Sequence, residues 1–170
     1  VTNEPKATGA KMAIVKKENW NDDSKDVSKV IYYKDGAIKV KYKNGNVFVG
    51  NDVNGDDPQG EGILYKDEDL KIKIFSGKWK NGLAVDGTLY HSDGVTPKHV
   101  GSFHGIEFPT GYGKVYDKTG RLLMDGVWET KYSTVKNYSS RYYFKNGNYY
   151  LGNIRHNEPH TDYYNLRPGY

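Results

Sequence analysis

The stretch IRHNEPHTD, residues 154–162 of a 170-residue chain, holds its densest group of side chains with chemistry to offer: His156, Glu158, His160 and Asp162. Two imidazoles and a carboxylate suit an open zinc or iron site. Histidines four apart converge only on a helix face, and Pro159 with Asn157 opposes a helix there. The stretch therefore reads as a solvated loop with no metal. His91, His99 and His104 stand alone, and their separations fix no geometry. The absence of cysteine and of any Gly-x-Ser-x-Gly elbow removes the thiol and elbow-serine nucleophiles. A carboxylate pair for glycoside cleavage is assembled in space and leaves no spacing signature. Asp56, Asp57, Glu61, Asp67, Glu68 and Asp69 read more simply as turn formers and solvating charges. DPQGEG and PTGYG lack the Gly-Lys-Ser/Thr of a phosphate loop, and DVNGDDPQGEG lacks the final glutamate of a calcium loop. No catalytic residue, cofactor or metal is assigned, and the chain reads as non-enzymatic.

What would have to position any site is a series of hairpins. In FSGKWKNGLAVDGTLYHSDG (75–94), Phe75, Gly77 and Trp79 share one face of an extended strand. Asn81-Gly82 supplies a turn, Gly87–Tyr90 a second strand, and Ser92-Asp93-Gly94 another turn. In LKIKIFSGKW, Ile72 and Ile74 alternate with Lys71 and Lys73 but stand out of phase with Phe75 and Trp79. A turn or bulge is expected between Ile74 and Gly77. KVIYYKDGAIKVKYKNGNVFVG (29–50) predicts three strands joined at Asp35-Gly36 and Asn44-Gly45, and Asn146-Gly147 predicts a further turn. The composition agrees, with 16 Tyr, 5 Phe, 3 Trp and 20 Gly pointing to an all-β chain with an aromatic core. A short helical piece is expected only near NDDSKDVSK (21–29).

The hairpin recurs. Glycines 50, 77, 101, 126 and 152 are spaced 24 to 27 residues apart. Two residues after four of them stand Trp79, Phe103, Trp128 and Ile154, and the first copy has Asp52. In the second strand of three copies, Gly62, Gly87 and Gly113 precede Tyr65, Tyr90 and Tyr116 by three residues. Repetition at such a period marks a stacked array. FSGKWKNG, GEGILY and GYGKVY make this spacing resemble the MORN repeat, well over residues 47–129 and loosely over 142–158. The fourth copy lacks the family's Gly-x-Gly, and the turns are longer than usual. The resemblance implies an elongated, twisted antiparallel sheet of stacked β-hairpins. The predicted layout is an N-terminal linker or cap over 1–30, the repeat array over 31–158 and a C-terminal cap or tail over 159–170.

Inward aromatics and glycines serve the stacking, which leaves the alternate strand positions for recognition. Adjacent tyrosines, as in Tyr32-Tyr33, Tyr142-Tyr143, Tyr149-Tyr150 and Tyr163-Tyr164, should each send one ring in and one out. The binding residues expected are Lys71, Lys73 and one outward member of Tyr149 and Tyr150, with Trp79, Phe103, Trp128 and Phe75 lining the inner face. A protein partner is expected first. The resemblance implies anionic-lipid or membrane-surface binding as an alternative, and a cell-envelope glycan binder or enzyme is a third. The net charge of +4 is spread along the chain, without the basic arm of a nucleic-acid binder. The linker-like opening VTNEPKATGAK and the Lys-, Asn- and Tyr-rich surface suggest an extracytoplasmic or cell-surface bacterial protein, with the cytoplasm as the alternative.

Overall fold

A computed structural model describes residues 13–131, 134–155, 158–159 and 166–167. The strands, in chain order, are β1 (Ile14–Asn19), β2 (Val27–Tyr33), β3 (Ile38–Tyr42), β4 (Val47–Asn54), β5 (Asp57–Tyr65), β6 (Lys73–Lys80) and β7 (Leu83–Tyr90). They continue with β8 (Pro97–Phe103), β9 (Pro109–Tyr116), β10 (Leu122–Lys131), β11 (Thr134–Tyr143), β12 (Tyr149–Arg155), β13 (Glu158–Pro159) and β14 (Leu166–Arg167). Each strand pairs antiparallel with its sequence neighbour from β1 through β13, and β14 pairs with β12. The result is one open, curled, all-β sheet of successive hairpins.

The turns form where their chemistry requires. Asn81-Gly82 closes the β6–β7 hairpin as a two-residue loop with φ of 49° and 81°, the left-handed pair that matches strand twist. Asp35-Gly36, Asn44-Gly45 and Asn146-Gly147 close longer turns, each with the Asx side chain accepting a backbone N–H two residues on at 2.9–3.0 Å. No helix occurs among the described residues, and the piece expected near residues 21–29 is a turn. Asp22 accepts hydrogen bonds from both the backbone N–H and the hydroxyl of Ser24, a local bonding that competes with helix formation, and β2 begins at Val27.

The repeat glycines form a single stripe across the sheet. Gly50 pairs with Gly62, Gly62 with Gly77, Gly77 with Gly87, Gly87 with Gly101, Gly101 with Gly113, and Gly113 with Gly126. Ser140, itself opposite Gly152, takes the next place. A Cβ on Gly62 would collide with the Phe48 ring, and one on Gly77 with the Asp86 carbonyl. At Gly50, Gly62 and Gly113 a ring crosses the strand, at Gly77 and Gly101 the neighbouring backbone itself comes that close, and the strands curl there into a trough. The curl brings Asp56, at the β4–β5 tip, to 3.8 Å from Lys25, which precedes β2.

Two rows of side chains flank the stripe inside the trough. Two residues before the repeat glycines lie Phe48, Phe75, His99, Met124 and Tyr150, and two residues after lie Trp79, Phe103, Trp128 and Ile154; all nine are buried. The rings interlock edge to face, with centroids 5.3 Å apart for Phe48–Trp79, 5.4 Å for Trp79–Phe75, 5.3 Å for Phe75–Phe103, 5.0 Å for Phe103–His99 and 4.7 Å for His99–Trp128. Trp79 and Phe103 thus each sit between the row-one ring of their own repeat and that of the repeat before. This geometry suits the aromatic quadrupole and adds to the gain from burial. The Trp79 indole also donates to the Gly62 carbonyl at 3.2 Å. The contacts explain why one hairpin cannot stand alone and why the units propagate.

Candidate functional site

The trough leaves two surfaces for function: its outer face and the mouth of its interior. On the outer face the strands differ along the array. Over β4 and β5 the outward residues Val47, Val49, Ile63 and Tyr65 are themselves buried, with Leu70 of the 66–72 loop packed on them. On β9, β10 and β12 three outward apolar side chains are bare: Tyr112 is 59 % exposed, Val127 45 % and Leu151 37 %. Tyr112 stands directly opposite Val127, and Leu151 opposite Arg141.

Lys73 and Tyr149 belong to this outer surface and Tyr150 does not. Tyr149 is half-buried, 6.0 Å from the Tyr143 ring, with the Arg141 guanidinium 5.5 Å from its centroid. The Tyr143 hydroxyl donates to Asp125 at 2.8 Å. Burial, followed by Asp125, makes that phenol a weaker acid than usual. Tyr150 is the inward member of its pair and lies in the core beside Met124 and Trp128, so it is withdrawn from any partner. Tyr32 likewise packs against the core, and Tyr33 faces outward beneath Lys39, 5.4 Å away.

The lysine pair does not share a strand. Lys71 is exposed in the loop ahead of β6, and β6 begins at Lys73. The Lys66 N–H bonds to the Ile72 carbonyl and closes that loop. The expected irregularity lies slightly earlier than the interval from Ile74 to Gly77. Tyr65 pairs with Lys73 while Leu64 pairs with Phe75, so the bulge falls at Ile74. It sends Lys73 to the outer face, where its Nζ lies 5.7 Å from the Tyr90 centroid, and Tyr90 bonds through its hydroxyl to Ser76 at 2.8 Å. Lys73 and Tyr149 sit six strand spacings apart, roughly 29 Å along the sheet at ~4.8 Å each. Both can be reached only by an extended partner.

His99 was legible in the sequence only as an isolated histidine. It is buried in the ring ladder between Phe103 and Trp128, and its Nε2 has no hydrogen-bond partner among the described residues. A Cβ on Gly113 would lie 2.6 Å from that nitrogen. Burial pushes its pKa down to about 4 and keeps the imidazole neutral. His91 is tied to the Tyr116 carbonyl through Nε2 at 2.8 Å. No group of three histidine or acidic side chains converges on a possible metal position among the described residues. His156, His160 and Asp162 lie outside those residues, as do Tyr163 and Tyr164.

No protein-family model and no curated protein matches the chain. The resemblance to MORN repeats rests on motif spacing.

Across the mouth of the trough runs a groove of about 720 Å³. One wall is the turn after Tyr42, from Lys43 to Asn46, with Asp26 bonded alongside through Lys43 N–H at 2.7 Å. The other wall is the β8–β9 loop, folded back so that the Gly105 N–H bonds the Ala84 carbonyl at 2.9 Å. A second groove, of about 530 Å³, lies beyond that loop beside His99 and Trp128.

Proposed function

We propose that the chain is a non-enzymatic binding module of MORN-like hairpin units that engages a protein partner through its outer face. The observation that carries this reading is the set of bare outward side chains Tyr112, Val127 and Leu151, in contrast with β4–β5, where the outward side chains are covered. Exposed large apolar groups gathered on one face of a folded surface, here the Tyr112–Val127 cross-strand pair with Leu151 two strands on, mark candidate interaction sites. The seven strands from β6 to β12, at ~4.8 Å spacing and ~3.3 Å per residue, offer roughly 800 Å² of face, the area one partner of a standard complex buries. Lys73 over Tyr90 stands at one end of that face and Arg141 over Tyr149 at the other. Stacked cations of this kind suit a partner surface that is partly apolar and partly acidic.

The test is partner capture from the native source by the wild-type chain and by two outer-face variants, Tyr112→Ser with Val127→Ser, and Lys71→Glu with Lys73→Glu. Both variants should keep the wild-type melting temperature, since these side chains lie outside the ring ladder. The first should lose capture and the second should weaken it. Undiminished capture by both removes the outer face from consideration.

A further inference from the structure

The groove at the trough mouth has a chemistry opposite to that of the outer face. Its floor is apolar, made by Leu64, Trp79 and Ala84. Its two walls each carry a carboxylate, Asp26 beside the Lys43–Asn46 turn and Glu107 on the exposed β8–β9 loop. At its rim the Asp57 carboxylate lies against Gly82, where a Cβ would come within 2.9 Å of Oδ1. The lysine in the lining, Lys43, donates its Nζ to the Asp22 carbonyl at 2.8 Å. Tyr42 reports the same field, its phenol made less acidic by burial first and then by Asp57, Asp56 and Asp26. A chain of net charge +4 thus opens a locally acidic groove with an aromatic floor.

Such a lining sorts its occupants. A phosphate or an acidic side chain would meet carboxylates on both walls. A neutral lipid chain would strip water from Asp26 and Glu107 without compensation. A bare metal ion gains nothing from Trp79 and Leu64 and finds no converging ligand set among the described residues. An apolar stem ending in a cation satisfies floor and walls together, as arginine and lysine side chains do.

We propose that this groove receives a basic side chain, arginine or lysine, from a segment of a protein partner, with its stem on Trp79 and Leu64 and its charged head held by Asp26 and Glu107. The inference takes from the preceding reading only that the partner is a protein.

The test is a solution NMR titration of the whole chain with short capped peptides carrying a central arginine, a central lysine or a central citrulline. The arginine and lysine peptides should give saturable shifts at the Trp79 indole N–H, Leu83 and Ile106, and the neutral citrulline peptide none. Glu107→Gln, on an exposed loop, should weaken the arginine peptide about tenfold with the fold intact, the loss expected for one charge-assisted hydrogen bond. Asp26→Asn should act in the same direction. Equal binding of the citrulline peptide, no saturable shift with either basic peptide, or full affinity in both variants overturns the proposal. A native partner that keeps its affinity for Glu107→Gln but fails on the outer-face variants would sink the groove and leave the outer face standing.

Discussion

Replacing His99 by phenylalanine should abolish the loss of stability that this buried imidazole is expected to cause between neutral and mildly acidic pH. The imidazole lies in the row that holds Phe48, Phe75, Met124 and Tyr150 in the other repeats, so a phenyl ring suits the position by the molecule's own precedent. Burial pushes the folded-state pKa from 6.5 down to about 4. The stabilising effect of the neutral form is fully present above the unfolded value. As pH falls, the unfolded chain takes up a proton that the folded chain refuses, and stability is lost progressively until pH passes below the folded value. A gap of this size corresponds to roughly 3 kcal/mol, of which about 2.5 kcal/mol is expressed between about pH 7.5 and about pH 4.5. The assay is urea denaturation of wild type and His99→Phe at those two values, with slope and midpoint fitted separately. At neutral pH the variant should be at least as stable as wild type, because it removes a buried nitrogen without a partner. On acidification the difference between the two proteins should open by about 2.5 kcal/mol. Parallel stabilities at both pH values would refute the reasoning, since they would mean that the imidazole is hydrated or protonated in the folded state. Asp93 and Asp117, held near pKa 2 by hydrogen bonds led by Thr96 and Thr119, favour the folded state over a lower range. Their contribution is present above the ordinary carboxylate value and fades as pH falls toward about 2.

Trp79→Ala or Trp128→Ala should cost about 3–5 kcal/mol by denaturation, because each empties a buried ring site in the ladder, and an unchanged midpoint would contradict the repeat alignment. Gly62→Ala should cost about 1–3 kcal/mol, since the new methyl group meets the Phe48 ring; a neutral result would mean the ring does not cross the strand there. Folding should be indifferent to EDTA, and a large fall in melting temperature on adding the chelator would show that His156, His160 and Asp162 hold a structural metal.

Much of the fold could be read because glycine is informative where its neighbours are aromatic. Gly77 beside Phe75 and Trp79 marked a place where strands approach too closely for a side chain, and Gly50, Gly62, Gly77, Gly87, Gly101 and Gly113 pair in one stripe, with a ring crossing the strand at Gly50, Gly62 and Gly113 and backbone filling the space at Gly77 and Gly101. The row after each glycine stood out because tryptophan and phenylalanine recur in it. The row before it was missed beyond Phe75, although it has the same 24- to 27-residue steps. Its side chains, Phe48, His99, Met124 and Tyr150, differ too much in type to look like one position. A histidine in particular invites a chemical reading before a packing one. Alternation with the out-of-phase Phe75 and Trp79 gave Lys73 its outward position and pointed to a bulge close to Ile74, but it placed Lys71 on the same strand, because alternation does not reveal that a loop closes at Ile72. The groove had no signature, because Asp26, Lys43, Trp79 and Glu107 meet only when the sheet curls along the glycine stripe.

We propose that the bare outward side chains of β9, β10 and β12 are where a protein partner sits. Photo-crosslinking residues introduced singly at positions 112, 127 and 151, and at Val95 as a control in an exposed turn, test it directly in the native source. The same partner should be trapped from all three outward positions and not from position 95. Trapping of a partner from position 95 alone, or from none of the three outward positions while that partner still binds, would place the binding surface elsewhere.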